Sequence, residues 1–239
     1  MSFINLIAMP AKFDFHTHTY YSDGRSGPLE MVEAAEARDL EAVAITDHGP
    51  ELHVGVPREK LVSMLQDIET ARRDAGIPVY AGIEANVVDG SGRVDIDEEF
   101  AKKLDLCIVS IHALGELMDP KQVAREYLAR MTKAVTHRKF NVLGHPFFYH
   151  QNLLPYLSRE EIENFVKLMA HRDIAVEVNM KYRGPGDEFL ALCLREGVKF
   201  SIGSDAHTPR GVGKIDWALS ALRRVGARRE DLILDDMLR

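Results

Sequence analysis

The sequence predicts an α/β fold of buried parallel strands alternating with helices. Three observations carry this: short apolar runs of strand length, segments of helical period between them, and regular alternation of the two along the chain. The runs are Phe13 to His16, Ala42 to His48, Val79 to Ala85, Leu104 to His112, Asn141 to Pro146, Ala175 to Asn179 and Lys199 to Asp205. Their lengths and Val/Ile content suit strands covered on both faces. Helices are expected at Pro28 to Arg38, Arg58 to Asp74, Pro120 to His137, Ser158 to Arg172, Asp187 to Glu196 and Lys214 to Arg224. Pro28 and Pro120 fit first-turn positions, where a missing N–H costs nothing, and Gly76 and Gly197 fit helix ends. A strand followed by a helix, repeated about seven times, suits either a closed (β/α) barrel or an open doubly wound sheet.

The chain of 239 residues has no linker, short-period repeat or low-complexity stretch to divide it, so residues 1–239 are read as one domain. A domain of this size buries roughly 70–75% of its unfolded surface, so a metal would serve chemistry rather than folding. The net charge of −7 and a pI near 5.8 argue against long nucleic acid or an anionic membrane as partners and leave small anionic substrates open. Cys107 and Cys193 lie far apart in apolar stretches, which points to buried thiols and a reducing compartment. The opening MSFINLIAMPAKF lacks a basic leader and the ~20 apolar residues of a membrane span, so a cytoplasmic location is expected.

Nearly every apolar run ends in a residue type that binds metals. His16, His18 and Asp23 follow the first, His48 the second, and Glu84 lies within the third. His112 follows the fourth, His145 the fifth, and Asp205 and His207 the seventh. In a parallel α/β fold the carboxyl ends of the strands share one face, so these residues should converge there. His16 and His18 point the same way from an extended backbone, and Asp205 with His207 repeats the spacing. Nine N and O ligands exceed the needs of one tetrahedral ion, which implies two or three metals. Glu84, with two oxygens among imidazoles, is suited to bridge them. Imidazole and carboxylate without thiolate allow zinc, manganese or iron(II). His137 and His171 are expected to be exposed, and His53 and His150 to play surface roles.

These residues also carry a family resemblance. DFHTHTYYSDG, ITDH, SIHALG with the later GHP, and GSDAH together resemble the motifs of the polymerase and histidinol phosphatase (PHP) domain family, from Phe13 to about Gly226. The resemblance implies a distorted, TIM-like (β/α)₇ barrel and a trinuclear metal centre. It implies His16, His18, Glu84 and Asp205 on one metal, Glu84, His112 and His145 on a second, and Asp23, His48 and His207 on a third. Many histidinol phosphate phosphatases have histidine where this chain has Asp23, a departure that argues against histidinol phosphate as the substrate and bears on the third metal.

Such a centre suits hydrolysis of a phosphate ester, with a bridging hydroxide held near the catalytic carboxylates Glu84 and Asp205 attacking phosphorus in line. The leading expectation is a phosphatase acting on a small phosphorylated metabolite. Arg183 and Arg210, in loops after the sixth and seventh runs, are the candidates for binding phosphate, with Lys181 a weaker one. The basic cluster from Arg223 to Arg229 reads as solvated surface. One alternative is a phosphodiesterase or exonuclease on nucleotides or short oligonucleotides, with Phe147, Phe148, Tyr149 and Tyr182 stacking on bases. A C–N hydrolase also uses H-x-H on a barrel, but Asp23 and His48 fit it less well. A noncatalytic metal-binding protein should have lost ligands, and none is missing. Oligomeric state is not legible.

Overall fold

A computed structural model describes residues 11–115, 119–137 and 139–238. Strands β1 (Phe13–Asp14), β2 (Ala42–Ile45), β3 (Val79–Asn86), β4 (Leu106–Ser110) and β5 (Val142–Leu143) come first. The hairpin strands β6 (Phe148–Tyr149) and β7 (Gln151–Asn152) follow, then β8 (Ala175–Asn179) and β9 (Phe200–Gly203). The seven-stranded sheet has the order β1-β2-β3-β4-β5-β8-β9, and every neighbour pair in it is parallel.

The two end strands meet. Phe15 N–H donates to the Ile202 carbonyl at 2.8 Å, Asp205 N–H to His16 at 2.9 Å and His18 N–H to Ala206 at 2.8 Å. This closes the sheet into a distorted (β/α)₇ barrel and decides between the two architectures the alternation allowed.

Helices α1 (Pro28–Glu36), α2 (Leu61–Asp74), α3 (Glu98–Ala101), α4 (Pro120–His137), α5 (Arg159–His171), α6 (Asp187–Arg195), α7 (Asp216–Val225) and α8 (Leu234–Met237) occupy the connections and the end of the described chain. Their ends follow from local chemistry. Pro28 opens α1, and the Ser158 hydroxyl caps α5 by accepting the Glu161 N–H at 3.2 Å. Gly226, at φ +81°, ends α7 in the left-handed conformation that favours glycine. Residues 58–60 form a 3₁₀ turn ahead of α2, α1 stops at Glu36, and residues 214–215 stay outside α7, so several of the expected helices are shorter than their periodicity. Neither the β6–β7 hairpin nor the four-residue α3 is visible as a pattern.

All residues of β2, β4, β8 and β9 are buried, as a sheet sandwiched between a filled barrel and a helical coat requires. Phe13, Ile45, Ile83, Ile108, Val176 and Ile202 are fully enclosed. The strands are shorter than the apolar runs because the ligand-type residues mostly lie just past the last ladder bond. Two of these, His145 at φ +23° and Asp205 at φ +56°, have left-handed backbones that non-glycine residues rarely adopt. No helix among the described residues is long and apolar enough to cross a membrane.

Candidate metal centre

All nine ligand-type residues converge at the carboxyl end of the barrel and join in one network. Glu84, on β3 and fully buried, is its hub. Its Oε2 lies 3.2 Å from His16 Nε2, 3.7 Å from His18 Nε2 and 2.7 Å from His48 Nδ1, and its Oε1 lies 2.9 Å from His145 Nε2 and 3.4 Å from His112 Nε2. Asp205 Oδ1 stands 3.4 Å from His18 Nε2 and 3.5 Å from His207 Nδ1. Asp23 Oδ1 stands 3.2 Å from His207 Nε2 and 3.7 Å from His48 Nε2.

Three sets bring their ligand atoms within 4.8 Å of one another: His16, His18 and Glu84; His48, Glu84 and His112; and His18, Asp23, His48 and His207. The partition differs from the one implied by the resemblance, because His18 and His48 each face two sets. Both rings sit at the junction, 4.3 Å apart between centroids.

Whether these residues fit metal ions is tested by their unmet polar atoms. His16 Nε2, both nitrogens of His18, His48 Nδ1 and Glu84 Oε2 are buried without a hydrogen bond, and the short His48–Glu84 approach lies outside hydrogen-bonding geometry. Buried polar groups are almost always paired. Several imidazole lone pairs and a carboxylate oxygen directed at one another are the donor set of a divalent transition metal.

Protonation follows the same geometry. Burial opposes charge on Glu84, but the imidazoles of His16, His112 and His48 outweigh it and hold the carboxyl well below its usual range. Asp205 is likewise held far down, its burial outweighed by His16, His18 and Lys181. Burial and the neighbouring imidazoles push His18 down to about 3, which leaves it neutral and ready to ligate. Burial lowers His16 too, but Glu177, Glu84 and Asp205 reverse the balance and raise it well above its ordinary value. Asp23 is less enclosed; the pull of His207, His48 and His18 overcomes its burial and brings it to about 2.

Several residues that the sequence reading passed over hold the ligands from behind. Glu177 Oε1 lies 2.7 Å from His16 Nδ1, and its Oε2 accepts the His145 N–H at 2.5 Å. The Asn86 amide oxygen contacts His112 Nδ1, and its amide nitrogen donates to Asp95 at 2.9 Å. Asp47 accepts from Thr19 N–H at 2.7 Å and Ser22 Oγ at 2.6 Å, fixing the loop between His18 and Asp23. Asp14 accepts from Ser204 N–H at 2.9 Å and Gly213 N–H at 2.8 Å, securing the strand that leads to Asp205. The available signal was a carboxylate inside an apolar run, as in AVEVN.

Of the phosphate-binding candidates, Lys181 reaches the network, with Nζ 3.0 Å from Asp205 Oδ1 and the side chain 43% exposed. Arg183 and Arg210 are exposed, and neither guanidinium has a hydrogen bond or ion pair among the described residues. Phe147 is fully buried against Tyr127, Phe165 and Phe189, which removes it from any base-stacking surface. Phe148 and Tyr182 are half-buried and stack on each other at 4.2 Å, with Tyr182 edge-on to His145 at 5.2 Å. His53, His137, His150 and His171 are exposed. In the basic cluster, Arg224 pairs with Asp187 and Arg229 with Glu41 and Asp235. Cys107 and Cys193 are buried and free.

A barrel with a polar, histidine-rich cluster at its carboxyl face defines a class, the TIM-like metallohydrolases. Comparison with known proteins narrows it. The PHP domain family model matches residues 14–181, more than half of the chain. A "Probable phosphatase" of Caldicellulosiruptor bescii is 31% identical over 206 residues, covering 84% of this chain and 82% of that protein. Another "Probable phosphatase", from Acetivibrio thermocellus, is 31% identical over 89% of this chain and 86% of its own length. Among solved structures, a Listeria monocytogenes protein carrying a histidinol phosphatase name, hisK, superposes with a TM-score of 0.71 at 17% identity, covering 85% of this chain and 98% of that one. The chain belongs to the PHP domain family and is a metal-dependent phosphoric ester hydrolase.

Proposed function

We propose that the chain is a phosphatase that hydrolyses a small phosphomonoester at a centre of two or three divalent metals, most simply three, held by His16, His18, Asp23, His48, Glu84, His112, His145, Asp205 and His207. One observation carries the reading: three buried imidazole nitrogens without hydrogen bonds, His16 Nε2, His18 Nε2 and His48 Nδ1, lie within 3.7 Å of the buried, unpartnered Glu84 Oε2. Zinc, manganese or iron(II) suits this donor set. When bound, such ions make a nucleophile available from water at neutral pH and neutralise the phosphoryl oxygens.

The chain's own residues divide the remaining work. Glu84 turns one oxygen toward His16, His18 and His48 and the other toward His112 and His145, so its carboxylate could help hold two ions. Asp205 lies between His18, His207 and Lys181, where it orients the attacking water and is itself held by the ammonium. Lys181, partly open to solvent, receives the phosphate; Arg183 and Arg210 are further candidates from their exposed loops. The leaving group departs past Asp23 and His207, the more exposed side. The two buried thiols suit a reducing cytoplasm.

A phosphodiesterase is the second reading, favoured by the Phe148–Tyr182 stack beside His145. The test is elemental analysis of protein purified without chelator, with p-nitrophenol release from p-nitrophenyl phosphate and from its bis ester, and phosphate release from a panel of metabolite phosphomonoesters. Two or three metals per chain and monoester hydrolysis abolished by chelation are expected. Metal-loaded protein that prefers the bis ester transfers the assignment to diesters, and folded protein that takes up no metal overturns the centre.

A further inference from the structure

We infer that Glu177 is a positioning residue of the metal centre: it decides which nitrogen of His16 faces the cluster and places a carboxyl group behind that ring. The inference rests on the metal-dependent reading above.

Glu177 sits in the middle of β8, fully buried between the enclosed Val176 and Val178. An ionised carboxylate in such a place is costly unless its oxygens are paired. Both are. Oε1 meets His16 Nδ1 at 2.7 Å, and Oε2 accepts the His145 N–H at 2.5 Å. One side chain thereby ties the end of β1 to the end of β5 across the barrel. Space for the contact is reserved by Gly203, where a Cβ would collide with Glu177 Oε1 and stand 2.6 Å from the His16 Cβ.

With Nδ1 committed to Glu177, His16 presents Nε2 to the cluster, 3.2 Å from Glu84 Oε2 and without a hydrogen bond of its own. Two other rings hydrogen-bond through Nδ1 to uncharged oxygens, His112 to the Asn86 amide oxygen and His207 to the Asp205 carbonyl, with the Asp205 carboxylate farther off at 3.5 Å. Among the described residues, His16 alone of these three hydrogen-bonds through Nδ1 to a carboxylate. A carboxylate behind a ligating imidazole fixes its tautomer and raises its basicity as a ligand. An ion held by His16 would gain affinity from this backing. The second contact pins the amide of His145, a residue at φ +23°, and so fixes another candidate ligand on the opposite wall.

The test compares wild type with Glu177→Gln, which keeps the volume but offers one acceptor oxygen to two donors. Zinc binding is followed by competition with a chromophoric chelator and by elemental analysis. One zinc equivalent is expected to weaken about 10–100-fold while the others keep their affinity. In zinc-loaded wild type, ¹⁵N NMR of the imidazoles is expected to show His16 protonated at Nδ1 and coordinated through Nε2. Unchanged affinities in the variant overturn the inference. So does uniform weakening of every equivalent with a lower Tm of the metal-free protein, the signature of a merely structural role. If the variant does not fold, the wild-type tautomer decides, and a His16 coordinated through Nδ1 overturns it. Wild type that binds no zinc, manganese or iron(II) overturns the proposed function itself, a result distinct from failure of the variant alone.

Discussion

Around Glu84, the candidate ligands His16, His18 and His145 are sealed from water, and His16 and the His145 backbone are braced by Glu177. Around Asp23 the same chemistry is built more loosely. Asp23 and His207 are 31% and 24% exposed, and the hydrogen bond of His207 Nδ1 goes to a backbone carbonyl, with the Asp205 carboxylate farther off at 3.5 Å. The inner side is preorganised by partners that aim its ring nitrogens at the Glu84 carboxylate. The outer side shares its residues with solvent. On the proposed function, one centre would combine a retained part and an exchangeable part.

The harshest way to break this contrast is Glu84→Gln, which removes the charge both sides share. Loss of bound metal and a fall in kcat of at least ~10³-fold are expected, checked by elemental analysis and p-nitrophenyl phosphate turnover. Loss of metal from only one side would show that Glu84 does not bridge.

Asp23→Ala sharpens the contrast from the outside. One metal equivalent should weaken about 10–100-fold while the inner equivalents survive dialysis against a mild chelator. Uniform loss would merge the two sides into one.

Titration distinguishes them more finely. Burial lowers His16 and His112, but Glu177 and Glu84 for the first, and Glu84 for the second, outweigh it and raise both above their ordinary value. In the metal-free chain these rings bind protons below their raised pKa values, and an incoming ion must displace them. Metal affinity should therefore fall as pH falls through that range, with protons released on binding. His18, held to about 3, releases none at neutral pH. Calorimetric zinc titrations at pH 6.5 and 8, in buffers of different ionisation enthalpy, count the protons; a pH-independent affinity would contradict the assignment.

The smallest effect belongs to the mouth. Lys181→Met should raise KM for a phosphomonoester severalfold without changing metal content, and Arg183→Ala should raise it less, since its guanidinium has no contact with the cluster. Steady-state kinetics on both variants orders the two residues.

The strand-helix alternation was readable because buried parallel strands leave continuous apolar runs, and the candidate ligands because each closes such a run. Barrel closure was not, since it depends on backbone hydrogen bonds between residues 15–18 and 202–206, which no local pattern encodes. The bracing groups escaped for a related reason. Glu177, Asn86 and Asp95 act across strands remote in sequence, and a single buried carboxylate in AVEVN reads like any half-buried strand position. Residue type favours arginine for phosphate, but no local pattern shows that Lys181, two residues before the left-handed turn at Arg183, φ +50°, stands at the cluster.

Closure also has a bearing on synthesis. Asp14 and Ser204, which meet beside the centre, stand 190 positions apart in sequence. A nascent chain emits His16 and His18 long before Asp205 and His207, so the histidine pair leaves the ribosome without the partners that complete its surroundings. Contacts of such long range form late and slowly. An ion captured at that seam would act as a latch, fastening a segment of the protein to one made much later.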